Sequence, residues 1–74
     1  MTLEKLTQTL DDKMPCLVKT HWGGGMYHRQ YFSSAAAIEP YLLDYEVIDK
    51  VYTNLAFNAD GTSEYCYEIY VEEA

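Results

Sequence analysis

The stretch Thr20-His21-Trp22-Gly23-Gly24-Gly25-Met26-Tyr27-His28-Arg29-Gln30-Tyr31-Phe32-Ser33-Ser34-Ala35-Ala36-Ala37-Ile38-Glu39-Pro40-Tyr41-Leu42-Leu43 decides the fold. It reads as a strand, a glycine turn, a second strand and a helix. Glycine enters positive φ at almost no steric cost, so Gly23-Gly24-Gly25 suits a tight reversal. With Gly24-Gly25 as a two-residue loop, Trp22 lies opposite Tyr27, His21 opposite His28, Thr20 opposite Arg29, Val18 opposite Tyr31 and Leu17 opposite Phe32. One face then carries Cys16, Val18, Thr20 and Trp22 beside Tyr27, Arg29 and Tyr31. It is the more apolar and is taken as the core face, although Leu17 and Phe32 fall on the other. A one-residue slip in the turn would change the pairing.

Behind the hairpin, Ser33-Ser34 offers an N-cap and Ala35-Ala36-Ala37 favours helix. Ile38, Tyr41, Leu42 and Tyr45 share one helical face, which predicts a helix near residues 35–45. Pro40 falls inside that pattern and disfavours the α conformation at Glu39. The expectation there is a kink, or a short turn followed by a helix starting at Pro40.

Upstream, Thr2 can cap a helix over residues 3–13, with Leu3, Leu6 and Leu10 as its apolar stripe and Met14-Pro15 ending it. Downstream, residues 47–57 are rich in β-branched and aromatic side chains. Asn58-Ala59-Asp60-Gly61-Thr62 has the chemistry of a three-residue hairpin loop with a glycine bulge. Placing Asn58 opposite Thr62 pairs Leu55 with Tyr65, Thr53 with Tyr67, Val51 with Ile69 and Asp49 with Val71 on a core face. On the other face Ala56 pairs with Glu64, Asn54 with Cys66, Tyr52 with Glu68, Lys50 with Tyr70 and Ile48 with Glu72. The expected fold is therefore a single α+β domain over residues 1–74, in the order α-β-β-α-β-β. It has a four-stranded, mainly antiparallel sheet with both helices on one face. The sequence does not set the strand order.

Seventy-four residues with 49% apolar content and eight tyrosines can build one core. A chain this short buries about 60% of its surface, so stability should be roughly 4–11 kcal/mol. Cys16 and Cys66 do not make a disulfide framework. Met1-Thr2-Leu3-Glu4-Lys5 carries no apolar signal region, and no apolar run approaches the ~20 residues of a membrane span. The expectation is a reduced, cytoplasmic protein.

The net charge is −7. Residues 1–38 hold Lys5, Lys13, Lys19 and Arg29 against Glu4, Asp11 and Asp12, a balance of +1. Residues 39–74 hold Lys50 against nine carboxylates, a balance of −8. Such a surface disfavours direct contact with nucleic acid or an anionic membrane and attracts a basic protein surface. The face bearing Glu64, Glu68 and Glu72 with Tyr52 and Tyr70 is the candidate partner-binding surface, since tyrosine joins a rigid apolar body to a polar tip. An ordinary solvated sheet face is the competing reading.

No catalytic constellation is legible, and the chain is not expected to be an enzyme or to need a cofactor. His21 and His28 could face each other, but no Cys-x-x-Cys or His-x-x-x-His spacing supports zinc, and Cys16 falls on the opposite face. Cys66 lacks a base to make it a nucleophile. Gly23-Gly24-Gly25 lacks the Lys-Ser/Thr of a phosphate loop. No pair of carboxylates is placed in a cleft.

The glycine-turned hairpin, the strand ending Tyr31-Phe32-Ser33-Ser34 and the segment behind it, about residues 17–45 in an acidic chain, resemble small phage-encoded inhibitors. These are the anti-CRISPR proteins and the DNA-mimic anti-restriction proteins. The resemblance rests on a pattern without a diagnostic motif and carries over no functional residue. It implies a stoichiometric inhibitor that occupies a nucleic-acid-binding surface of a larger protein. The alternative is a self-associating or subunit-type domain, a homodimer pairing through an edge strand.

Overall fold

A computed structural model describes residues 1–73. It contains one short helix, α1 (Leu3–Thr7), and five strands: β1 (Cys16–Gly23), β2 (Met26–Phe32), β3 (Glu46–Val47), β4 (Tyr52–Phe57) and β5 (Ser63–Glu72). The sheet order is β2-β1-β5-β3, with β4 also paired to β5. The β1–β5 pair is parallel and the other pairs are antiparallel. This corrects the α+β expectation: the chain is mostly β, and its sheet is mixed and five-stranded rather than four-stranded and mainly antiparallel.

The parallel seam follows from which strand of each hairpin is apolar enough for the centre. In β1, Cys16 and Val18 are fully buried, and in β5 Ile69 and Val71 are. Strands covered by neighbours on both sides favour such side chains, whereas β2 and β4, which hold no buried residue, lie at the edges. β1 runs towards its turn and β5 away from its own, and with the two turns at opposite ends of the sheet the pair is parallel.

The two expected helices are largely absent, and the side chains explain why. Residues 3–13 are helical only to Thr7. The hydroxyls of Thr7 and Thr9 donate to the carbonyls of Glu4 (2.7 Å) and Leu6 (2.8 Å), and Asp11 accepts from the Lys13 N–H (2.9 Å). These local bonds compete with helix continuation. Thr2 does cap α1, and the N–H groups of Leu3 and Glu4 donate to the carbonyls of Tyr45 (2.9 Å) and Leu43 (3.0 Å). Residues 35–45 form two 3-10 turns, Ala35–Ala37 and Pro40–Leu42. Glu39 is held at φ −57°, ψ 133° before Pro40, so the helix is cut where the proline forbids it.

The first hairpin departs from its expected register. Gly23 lies opposite Met26, but a bulge at Trp22 then sets His21 opposite Tyr27, Thr20 opposite His28, Val18 opposite Gln30, Leu17 opposite Tyr31 and Cys16 opposite Phe32. Cys16, Val18 and Thr20 do face the core. Tyr27, Arg29 and Tyr31 switch to the far face, and Phe32 joins the core side. The bulge leaves Trp22 68% exposed, stacked on His28 at 5.0 Å.

The second hairpin keeps its register from Phe57–Ser63 to Tyr52–Glu68. It breaks below Tyr52. From Val47, opposite Val71, to Tyr52, opposite Glu68, the outer chain takes five steps against three on β5. The expected pairs Val51–Ile69, Lys50–Tyr70, Asp49–Val71 and Ile48–Glu72 therefore do not form. The segment loops out, with the Asp49 carboxylate accepting the Lys50 N–H at 2.8 Å.

One side of the sheet is covered. Leu3, Leu6, Cys16, Val18, Ala35, Ile38, Leu42, Ile69 and Val71 make one core between the strands and the segment carrying α1 and the 3-10 turns. The cover stops short of the outer half of the second hairpin. Leu55 and Tyr65, expected in the core, are 44% and 63% exposed. No helix among the described residues is long and apolar enough to cross a membrane.

Candidate functional site

Among the described residues the far face of the sheet carries no covering layer. β5 runs through its middle and alternation points Glu64, Cys66, Glu68, Tyr70 and Glu72 towards it. β4 adds Tyr52, Asn54 and Ala56, opposite Glu68, Cys66 and Glu64. β1 adds Leu17, Lys19 and His21, opposite Glu68, Tyr70 and Glu72. Through the Trp22 bulge, β2 adds Tyr27, Arg29 and Tyr31.

All five residues singled out from the sequence stand on this face, but they do not form a uniform acidic stripe. Glu68 is buried, only 8% exposed. One of its oxygens accepts from Lys19 Nζ and from the Tyr70 hydroxyl (2.9 Å), and the other accepts from the Asn54 amide. The Lys19 hydrogen bond holds the Glu68 carboxyl below its usual range, and the same bond raises Lys19. Two satisfied oxygens and a half-buried counter-ion make Glu68 an internal tie between β1, β4 and β5. Glu64 accepts from the Tyr31 hydroxyl at 2.7 Å, which raises the Tyr31 pKa. Glu72 is exposed and sits opposite Glu46 of β3. Glu46 in turn accepts from the Met1 ammonium at 3.1 Å.

Tyr52 and Tyr70 belong to a row of aromatic rings. Tyr70 meets Tyr27 edge-on at 5.4 Å and Tyr52 edge-on at 5.9 Å, and Tyr27 packs on His21 at 5.3 Å. Edge-to-face contacts at these distances suit the ring quadrupoles. Lys19 Nζ lies 5.2 Å from the Tyr70 ring centre and Lys50 Nζ 5.4 Å from that of Tyr52. Between the rings lies an open depression of about 590 Å³, lined by Tyr27, Ile48, Asp49, Tyr52, Asn54, Glu68 and Tyr70. Ile48 and Asp49 reach it because the chain loops out between β3 and β4.

Sequence reasoning did not bring Tyr27, Tyr31 and Lys19 to this face, and it placed Asn54 here without singling it out. Asn54 was legible from the second hairpin register. The first three required two facts the sequence does not carry: the bulge that turns the β2 tyrosines over, and the β1–β5 pairing.

The chemistry of the remaining polar groups is plain. His21 and His28 lie on opposite faces, against Tyr27 and Trp22, and do not face each other. Among the described residues no three His, Cys, Asp or Glu side chains are placed to hold a metal. Cys16 and Cys66 are free, buried thiols, and burial pushes Cys16 up to about 11, far from nucleophilic. A smaller depression of about 170 Å³, lined by Thr20, Trp22, His28, Gln30, Tyr41, Leu42 and Tyr45, opens on the covered side. The buried Thr20 hydroxyl finds no hydrogen-bond partner among the described residues. No family model, curated protein or solved structure matches the chain.

Proposed function

We propose that the protein is a non-catalytic binding domain that lays its uncovered sheet face on a basic surface of a larger protein. That surface is one that otherwise holds nucleic acid, and the domain blocks it stoichiometrically, as an anti-CRISPR-like inhibitor would. The observation that carries this reading is the row Tyr27–Tyr70–Tyr52 around an open depression on a sheet face with no second layer. Tyrosines held by one another present contact area at little cost in side-chain entropy.

Charge has a different role from contact. Within the depression Lys19 neutralises Glu68. Asp49 at its edge and Glu64 and Glu72 on the same face form no ion pair among the described residues. Rim charges of this kind steer encounter and mainly set the on-rate, while the aromatic contacts hold the complex.

The test is capture from lysate on the immobilised protein, followed by kinetics against the captured partner. Tyr27→Ala with Tyr52→Ala should raise dissociation at least tenfold. Glu72→Gln should slow association and leave dissociation nearly unchanged. Added salt should weaken binding, and nucleic acid should compete. A partner that holds nucleic acid and this protein together would reject the inhibitor reading. Tyrosine variants that bind normally would reject the face.

A further inference from the structure

The two outer edges of the sheet are not alike. β2 carries Arg29 and His28, and charge protects an edge from pairing with other chains. β4 reads Tyr52-Thr53-Asn54-Leu55-Ala56-Phe57, with no charge, no proline and no bulge against β5. It pairs with β5 on one side and with nothing else among the described residues. Beside it Leu55, Phe57 and Tyr65 are 44%, 78% and 63% exposed on the covered side of the sheet, beyond the reach of the cover.

We propose that β4 is a self-association edge, at which two copies of this chain join by antiparallel β4–β4 pairing centred on Leu55. The register follows from the hairpin. Asn58 N–H donates to the Thr62 carbonyl at 2.8 Å, so Asn58 is turned towards β5, and alternation turns Ala56, Asn54 and Tyr52 the same way. The N–H and C=O groups of Thr53, Leu55 and Phe57 therefore point outward. A two-fold axis at Leu55 sets Leu55 opposite Leu55 of the second copy and Thr53 opposite Phe57, with every outward group of these residues paired. Side chains on one face stay on one face under this axis, so the two Leu55-Phe57-Tyr65 patches become one.

Charge selects this place for the contact. Two chains of net charge −7 repel each other, and β4 lets them meet without bringing carboxylates together. The pairing also continues the uncovered face across both copies, setting two tyrosine-lined depressions side by side.

Sedimentation equilibrium of the full chain over a wide concentration range, with amide hydrogen exchange in parallel, tests the proposal. The mass should rise to twice that of one chain as concentration rises. The Thr53, Leu55 and Phe57 amides should gain protection with it, while Asn54 and Ala56 stay protected throughout. Added salt should strengthen the dimer by screening repulsion, opposite to its effect on a basic partner. Leu55→Lys, which sets two like charges face to face, should weaken dimerisation at least tenfold, and Met26→Lys on β2 should not. A monomer at every concentration overturns the proposal. So does a dimer in which the Thr53, Leu55 and Phe57 amides exchange freely, or one that Leu55→Lys leaves intact.

Discussion

The two hairpins make opposite use of their turns. In the first, three glycines at positive φ, Gly23, Gly24 and Gly25, allow the reversal without dictating it. The chain uses that freedom to insert a bulge at Trp22, which turns the β2 side chains over. In the second, Asn58, Asp60, Gly61 and Thr62 are bonded to one another. Asp60 accepts from the Thr62 N–H at 3.0 Å, and Gly61 takes φ +87°. The register there is fixed. Yet each hairpin has one strand in the core, β1 in the first and β5 in the second, and only the second carries its outer half as an uncovered extension. Turn chemistry sets which residues face each other; burial is set by what the rest of the chain lays on top.

The largest effect should separate the two causes. Ile69→Ala, at a fully buried site where β5 meets β1, should cost about 2–5 kcal/mol in urea unfolding. Leu55→Ala, measured at low protein concentration, should cost less than ~1 kcal/mol. Equal losses would mean that the outer half of the second hairpin is covered after all.

Next comes the tie that joins the hairpins. Glu68→Gln should cost about 1.5–3 kcal/mol, the range for hydrogen bonds to charged groups. Because the folded carboxyl is held below its ordinary 4.5, that contribution is complete above 4.5 and is lost as pH falls through the lower folded value. Lys19 is raised above 10.5, so its share is complete below 10.5 and fades as pH climbs through the folded value. Unfolding curves of wild type and Glu68→Gln should converge in acid. Curves that stay parallel would place the loss elsewhere.

Turn replacements should be milder. Gly61→Ala meets no atom within 4 Å, so only its positive φ is penalised, by about 1–2 kcal/mol. Gly61→Asn should recover part of that. The smallest effect belongs to the bulge: deleting Trp22 lets Gly23–Met26 and His21–Tyr27 become consecutive pairs. Stability should change by about 0.5 kcal/mol or less, with NMR shifts confined to the hairpin tip. Widespread shifts would show that the bulge sets the register of the whole sheet.

What was legible in the sequence follows the same division. The Asn58–Thr62 turn gave the β4–β5 pairs and placed Tyr52, Glu64, Glu68, Tyr70 and Glu72 on one face. It could not give Glu68 its buried state, because Lys19 reaches Glu68 from a strand 49 positions away. The apolar stripe of Leu3, Leu6 and Leu10 does pack on the core, while the helix meant to carry it stops at Thr7. Periodicity found the buried side chains; local hydroxyl and carboxylate bonds decided the backbone. Pro40 was read correctly as an interruption, and the short pieces it leaves are too brief for α-helix.

The parallel seam of β1 and β5 has a consequence for how the chain finds its shape. Each hairpin closes a short loop, but Lys19 and Tyr70, neighbours across the seam, are 51 positions apart. Loop-closure entropy must be met before such contacts return anything. The hairpins can form early and separately, and their docking is the slow event that native topology imposes. Until then the inner edges of β1 and β5 are open, and the folding rate is governed by the meeting of two sequence-distant strands rather than by either turn.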